Sequence, residues 1–257
     1  MSRVEIKRIT RYPVKGLSGE TLDSVTLSMG HGLPHDRQFA LALPDTPFDP
    51  AAPKPLPKTR FAVLMKYAKL AELSTVFDTS DETLSIKHPD VSVSAPLNTA
   101  DGREQIATSL SAFMQDEIDG RLRVVAAPGH RFTDVGVHSP EMMEAVSLIN
   151  LASIRALEDK VQGRIDPRRF RANFLVDGLE PWEEFNWLDR TVSIGAATFR
   201  VVKRTRRCVA TEVNPDTAER DILVPQELMK NFGHMDLGIY LTVQGGSTVH
   251  LDDRLQF

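Results

Sequence analysis

Along the first hundred residues, apolar positions recur mostly with a period of two. Val4 and Ile6 alternate with Glu5 and Lys7, which predicts a strand over residues 4–8. Leu22, Val25 and Leu27 suggest a second strand, closed by the turn signal Met29-Gly30-His31-Gly32. Residues 39–43 form a short apolar run of the buried-strand type. Six of the 16 prolines then crowd into residues 44–57. A segment so short of backbone donors predicts an exposed loop. Strands are predicted at 70–77, 83–87 and 91–95, and Thr83-Leu84-Ser85-Ile86-Lys87 alternates most cleanly. Ile106, Leu110 and Phe113 fall at helical spacing, so 103–114 reads as a helix. Residues 124–126 read as a short strand leading into a loop at 128–140. The clearest helix is 148–161, where Leu151, Ile154, Leu157 and Val161 share one face and Ser147 offers an N-cap. Strand patterns return at 173–176, 191–194, 198–202, 209–213, 237–243 and 249–251. Asp177-Gly178 and Gly245-Gly246 supply turns between them. Many short strands and few helices predict a β-rich α+β fold built on closed or nearly closed barrels. The pattern changes between residues 96 and 130, where a domain boundary is expected.

Composition narrows the function classes. The 257 residues carry 31 basic and 35 acidic side chains, a net charge of −4, and 41% are apolar. That balance belongs to a globular chain rather than a disordered one. It also argues against a protein that binds nucleic acid over its whole surface. The opening MSRVEIKRIT holds no apolar run of the signal-peptide type, and no stretch approaches the roughly 18–20 apolar residues that span a bilayer. A cytoplasmic location with no membrane contact is the expectation. The single cysteine, Cys208, excludes an intrachain disulfide.

Two cationic clusters stand out in this slightly acidic chain. In Lys203-Arg204-Thr205-Arg206-Arg207-Cys208, four cations precede the only thiol. Cations gathered near a sulfur favour the thiolate, which is both nucleophile and soft metal ligand. A lone cysteine is equally read as a small buried hydrophobe. Strict strand alternation would also turn Arg207 and Cys208 to opposite faces. Arg164, Arg168, Arg169 and Arg171 form the second cluster. Arginine suits bidentate recognition of phosphate or carboxylate, although a charge run is also how a solvated face looks. Two such clusters on an acidic background point to a small phosphorylated ligand rather than a nucleic acid, and Phe170 is the only ring among them to stack on bases. No phosphate loop, G-x-G-x-x-G, nucleophile elbow or H-E-x-x-H is present. His31 and His35 are four apart, but Gly32 and Pro34 oppose the helix that would pair them on a metal, so both read as turn residues.

Taken in order, several short motifs resemble those of MOSC-domain proteins that carry a MOSC N-terminal β-barrel domain. Tyr12-Pro13-Val14-Lys15 resembles the family's Y-P-V-K-S opening, with Gly16 where the family has serine. His35-Asp36-Arg37-Gln38-Phe39 resembles its D-R-x-W element, and Arg169-Phe170-Arg171-Ala172-Asn173 its R-F-R-P-N. Arg207-Cys208-Val209-Ala210-Thr211, followed by Val213-Asn214-Pro215-Asp216-Thr217, resembles R-C-x-x-T-x-V-D-P-x-T-G. Leu237-Gly238-Ile239-Tyr240 with Gly245-Gly246 resembles the closing strand and turn.

The resemblance implies an N-terminal MOSC-type β-barrel domain over residues 1–95 and a MOSC β-barrel with a few helices over 96–257. It implies a molybdenum cofactor of the molybdopterin type, its metal bound by the Cys208 thiolate. Lys15, Arg37, Arg169, Arg171, Asn173 and Arg207 would bind the pterin or its phosphate, and Thr211 would lie beside the metal. Ser147 matches the family's S-L element and is expected to donate to phosphate from a helix N-terminus. Within the family, the two-domain relatives similar to the mitochondrial amidoxime-reducing component reduce small N-hydroxylated compounds. With no cysteine left for an iron–sulfur cluster, electrons would come from a separate ferredoxin- or flavin-type donor protein. The alternative is a carrier of sulfur or molybdenum cofactor that uses the Cys208 thiol.

Overall fold

A computed structural model of the chain describes residues 3–257. The chain opens with β1 (Glu5–Arg11), β2 (Val14–Lys15), β3 (Glu20–Leu22), β4 (Ser24–Thr26) and β5 (Phe39–Ala42). A meander follows, β6 (Ser74–Asp78), β7 (Thr83–His88) and β8 (Val91–Pro96), then helix α1 (Ala100–Phe113) and β9 (Arg123–Val125). A short helix α2 (Pro140–Met143) precedes β10 (Val146–Asn150), α3 (Leu151–Val161) and β11 (Phe174–Asp177). The chain finishes with β12 (Thr191–Ile194), β13 (Ala197–Arg206), α4 (Val224–Phe232), β14 (Asp236–Gly245), β15 (Thr248–His250) and β16 (Leu255–Gln256).

The main body is an eight-stranded sheet of order β16-β12-β13-β14-β10-β11-β1-β3. It curls until its two sides meet: Ile6 N donates to Asp253 O at 3.0 Å, Leu255 N donates to Val4 O at 2.9 Å, and Glu5 bridges Arg254. Ile6, Ile9, Leu148, Phe174, Trp187, Phe199, Ile239 and Leu241 fill the hollow of the curl. Burying each such side chain is worth about 1.5–3 kcal/mol before entropy is counted. Two three-stranded sheets, β2-β5-β9 and β6-β7-β8, make a second layered unit. Its core joins Phe39, Leu41, Leu70, Leu84 and Ile86 to Ile106 and Leu110 of α1. Helix α1 therefore packs with the N-terminal strands, while β1 and β3 belong to the large sheet. The architecture is β-rich α+β. Among the described residues, no helix is long and apolar enough to cross a membrane.

Local differences from the sequence reading have physical causes. Residues 148–150 extend β10 instead of opening the helix, and all five side chains of β10 are buried. Helix α3 starts at Leu151 under Asn150, whose side chain accepts from Ala152 N at 3.0 Å. The apolar run before a helix was strand all along, because periodicity cannot separate a buried strand from a buried helix turn. Residues 68–72 and 209–212 form 3-10 turns where strands were expected. The proline-rich segment 44–57 has no regular structure, yet it is not wholly exposed. Phe48 is buried and packs, with tilted rings, against His130 and Phe132.

Candidate functional site

The sheet and the layered unit share one large cavity of about 660 Å³. Lys15, Arg37, Ser147, Arg169, Arg171, Asn173, Arg207, Cys208 and Thr211 all line it. These nine come from segments up to 196 residues apart along the chain, and the fold brings every one of them together.

Local backbone links hold the first wall. Arg37 N donates to Tyr12 O at 2.7 Å, and Tyr12 N donates to Asp36 Oδ1 at 2.8 Å. Parallel pairing of β2 with β5 sets Lys15 beside Ala40. Arg37 and Arg171 both adopt left-handed backbone, with φ of 49° and 53°. That conformation is uncommon for residues other than glycine, and it collects at functional sites. Both guanidinium groups rest on the buried ring of Tyr12, at 4.7 and 4.3 Å from its centroid.

The lining residues divide by what their polar atoms already hold. Asn173 Oδ1 accepts from Ser147 N at 3.1 Å and Ser147 Oγ at 2.9 Å, and Asn173 Nδ2 donates to Thr10 O at 3.1 Å. Asn173 is thus a clamp on β10. Ser147 lies on that strand and not at a helix start, so no helix N-terminus stands behind its hydroxyl. Arg207 donates to the carbonyls of Leu237 and Phe170 at 2.8 and 2.9 Å. The close approach needs Gly238, whose φ is +81° and whose Cβ would lie 2.4 Å from Leu148 O. Thr211 Oγ1 donates to Cys208 O at 2.8 Å, fixing the 3-10 turn Val209–Glu212 that begins after the cysteine. Arg171 spends one nitrogen on Leu17 O at 2.5 Å, and its other donors have no protein acceptor among the described residues. Arg169 is held by Glu212 O and Asp221, but its buried Nε has no partner. Arg204 Nε and Thr205 Oγ1, in the same lining, are likewise buried and unpartnered.

Electrostatics agree with an anion site. Nine cations line the cavity, Lys15, Arg37, Lys58, Arg169, Arg171, Lys203, Arg204, Arg206 and Arg207, against two carboxylates, Asp134 and Asp236. Burial pulls Arg171 and Arg207 down to about 10, which leaves both charged at neutral pH. Burial also lowers Lys15, with Asp134 opposing it. On Arg37 burial works against the charge, but the Asp36 carboxylate outweighs it and the pKa ends above its ordinary value. Burial would raise Asp134, yet Lys15 and Lys58 together hold it down at about 2.

Cys208 is half-buried at the end of β13, where the chain leaves the sheet. Strict alternation does not apply there, so Arg207 and Cys208 line the same hollow. Lys58, from the 3-10 turn Lys58–Arg60, ion-pairs with Asp134 at 3.5 Å and shares the lining with Cys208; Asp134, and after it the sulfur, favour its charge. Sequence reasoning missed Lys58, Asp134 and, as a platform, Tyr12, whereas Arg204 and Thr205 lay in the cationic run before Cys208 but were given no role of their own. Of the three missed, Tyr12 carried a signal, inside a quoted motif. Lys58 and Asp134 sit in loops whose sequence has no period. Among the described residues, no cluster of three His, Cys, Asp or Glu is placed to hold a metal ion. A metal beside Cys208 would therefore take further ligands from something other than such a cluster.

A phosphorylated pterin fits these residues. The volume lies within the usual range for a cofactor site. The buried Nε of Arg169 awaits an acceptor, and the thiol is a soft ligand.

Comparison with known proteins agrees with the geometry. The family model for the MOSC domain matches residues 130–256. Mitochondrial amidoxime reducing component 2 of Rattus norvegicus is 34% identical over 87 residues, which is 34% of this chain and 25% of that protein. The molybdenum cofactor sulfurase of Anopheles gambiae is 34% identical over 110 residues, 38% of this chain and 14% of that one. The chain thus spans a quarter or less of the length of these relatives. A crystal structure of the YUAD protein from Bacillus subtilis aligns over 99% of this chain and 97% of that one, with 12% identity and a TM-score of 0.44. The family model identifies residues 130–256 of this chain as a MOSC domain.

Proposed function

We propose that this protein holds a molybdenum cofactor of the molybdopterin type in the cavity and reduces small N-hydroxylated compounds. The net reaction is R–NH–OH plus two electrons and two protons to R–NH2 and water, the electrons coming from a separate ferredoxin- or flavin-type donor protein. The observation that carries this reading is the convergence of Cys208 with cationic Lys15, Arg37 and Arg171 on one cavity. Names borne by relatives, an amidoxime reducing component and a molybdenum cofactor sulfurase, support the same chemistry.

In this reading Arg171 and Lys15 grip the phosphate, Arg171 with its unspent guanidinium donors. Arg37 adds charge from the same Tyr12 platform. Asn173, Ser147 and Arg207 hold the walls, since their polar atoms are already engaged with the protein. Cys208 supplies the thiolate ligand, and Thr211 fixes the backbone that presents it. Bound there, the group supplies a two-electron centre able to remove oxygen from nitrogen. The chain's own part is to bind, orient and keep the sulfur side of the cavity positive.

Reduction of benzamidoxime by molybdenum-loaded protein with an artificial electron donor tests the proposal. Formation of benzamidine is expected, and absence of turnover at full molybdenum occupancy counts against it. One observation favours a carrier instead: Cys208 is partly accessible and shares a cationic lining with Lys58, a setting that also suits a persulfide. Intact mass spectrometry separates the two. A sulfur adduct without pterin indicates the carrier, and molybdenum with pterin in equal amounts indicates the reductase.

A further inference from the structure

The end of β13 is irregular where it meets the cavity. Pairing runs Val201 with Leu241, then Lys203 with Tyr240, so Val202 is an extra residue. Beyond Arg204 the pairing jumps to Arg206 with Asp236, and two residues of β14, Leu237 and Gly238, face the single Thr205. Such bulges break the alternation of faces and re-aim side chains. Here they let Lys203, Arg204, Thr205 and Arg206 all line the cavity.

These residues are idle in the free protein. The side chains of Lys203, Arg204 and Arg206 have no hydrogen bond or ion pair among the described residues, although Arg204 stacks 4.4 Å over Phe185. Thr205 is 3% exposed and its hydroxyl is unpartnered, as is the buried Nε of Arg204. An unpartnered buried donor is costly unless a ligand satisfies it. Charge makes the same point. Nine lining cations face four carboxylates, Asp134 and Asp236 in the wall with Asp36 and Asp221 behind it. A phosphate monoester brings about −2 and the Cys208 thiolate one more negative charge, which still leaves the lining positive.

We propose that the bulged end of β13, Lys203 to Arg206, is a second anion site in the cavity that binds a carboxylate or phosphate on the substrate itself. The substrates would then be N-hydroxylated compounds bearing an acidic group. This rests on the reductase reading for the word substrate, but the site is testable without turnover.

The experiment is isothermal titration of molybdenum-loaded protein, without donor, with 4-carboxybenzamidoxime and with neutral benzamidoxime. About tenfold tighter binding of the carboxylated probe is expected, as one charge-assisted contact provides. Arg204→Gln and Lys203→Gln should each erase most of that preference while molybdenum per chain is kept. Lys203 is exposed, so its variant is informative even if Arg204→Gln, losing its stack on Phe185, fails to fold. Equal binding of the two probes overturns the site. Loss of molybdenum from either variant also overturns it, because the wall would then belong to the cofactor. Charge preference without any reduction leaves the site standing and sinks the reductase reading, and reduction without charge preference does the reverse.

Discussion

Arg37 donates from Nη2 to the backbone carbonyl of Arg171 at 2.8 Å, and the two guanidinium groups share the ring of Tyr12. Two like charges are thus held against one aromatic ring. Each cation–π contact offsets part of the repulsion, by about 0.5–2 kcal/mol. Tyr12→Ala removes the platform and leaves a buried void. Unfolding in urea should show a loss of about 3–5 kcal/mol. Tyr12→Phe keeps the ring, and the Tyr12 hydroxyl has no hydrogen-bond partner among the described residues, so its midpoint should stay close to that of the parent.

Asn173, just before β11, ties β10 to β1 with one side chain. It receives Ser147 on β10, donates to Thr10 on β1, and lies 3.5 Å from Arg37. Asn173→Ala strips the partner from a buried backbone N–H and a buried carbonyl. The expected loss is about 2–3 kcal/mol, read from the same urea titration. Phosphate affinity should fall with it, because Arg37 loses a contact that orients it.

Asp134 sets an acid limit on the wall that holds Lys15. Its folded pKa, about 2, lies below the ordinary carboxylate value. A depressed carboxylate contributes stability above its unfolded pKa and loses it as pH falls through the folded one. The contribution should therefore be complete above about pH 4 and fade toward pH 2. The side chain is 45% exposed, so solvent screens part of the effect. Thermal midpoints of Asp134→Asn measured from pH 5 to 2 should fall less steeply than those of the parent.

Glu184 behaves in the opposite sense. It is buried, receives Asn150 Nδ2 at 3.0 Å and Ser153 Oγ at 3.0 Å, and burial raises its pKa. A carboxyl whose pKa rises on folding favours the native state least when ionised, so stability drops as pH climbs past the unfolded value. Glu184→Gln should flatten that decline in a denaturant series from pH 4 to 7, while Glu184→Ala, which orphans Asn150 and Ser153, should destabilise at every pH.

Much of this was legible in the chain. Period-two patterns marked β1, β7 and β8, because those strands have one wet face. The motif residues converge at strand ends that meet the cavity: Lys15 closes β2, Arg37 and Arg171 precede β5 and β11, and Cys208 follows β13. What stayed hidden has common physical roots. Fully buried β10 has no period to read, so Ser147 was placed at the start of a helix that begins after Asn150. The bulges of β13 depend on pairing with β14, a long-range fact that no local pattern encodes. Lys58 joins the lining from a turn between Phe48 and Phe61, both of which pack on Phe132, and such long-range packing leaves no local period.

The central claim is that the Cys208 sulfur holds a pterin-bound metal in a phosphate-binding hollow. Elemental analysis of protein from a cofactor-competent host, for the parent and for Cys208→Ser, tests it most directly. Serine is near cysteine in size and a poor soft-metal ligand. About one molybdenum per parent chain is expected, with none in a variant whose circular dichroism spectrum and urea midpoint match the parent. Molybdenum retained by the folded serine variant would contradict the account.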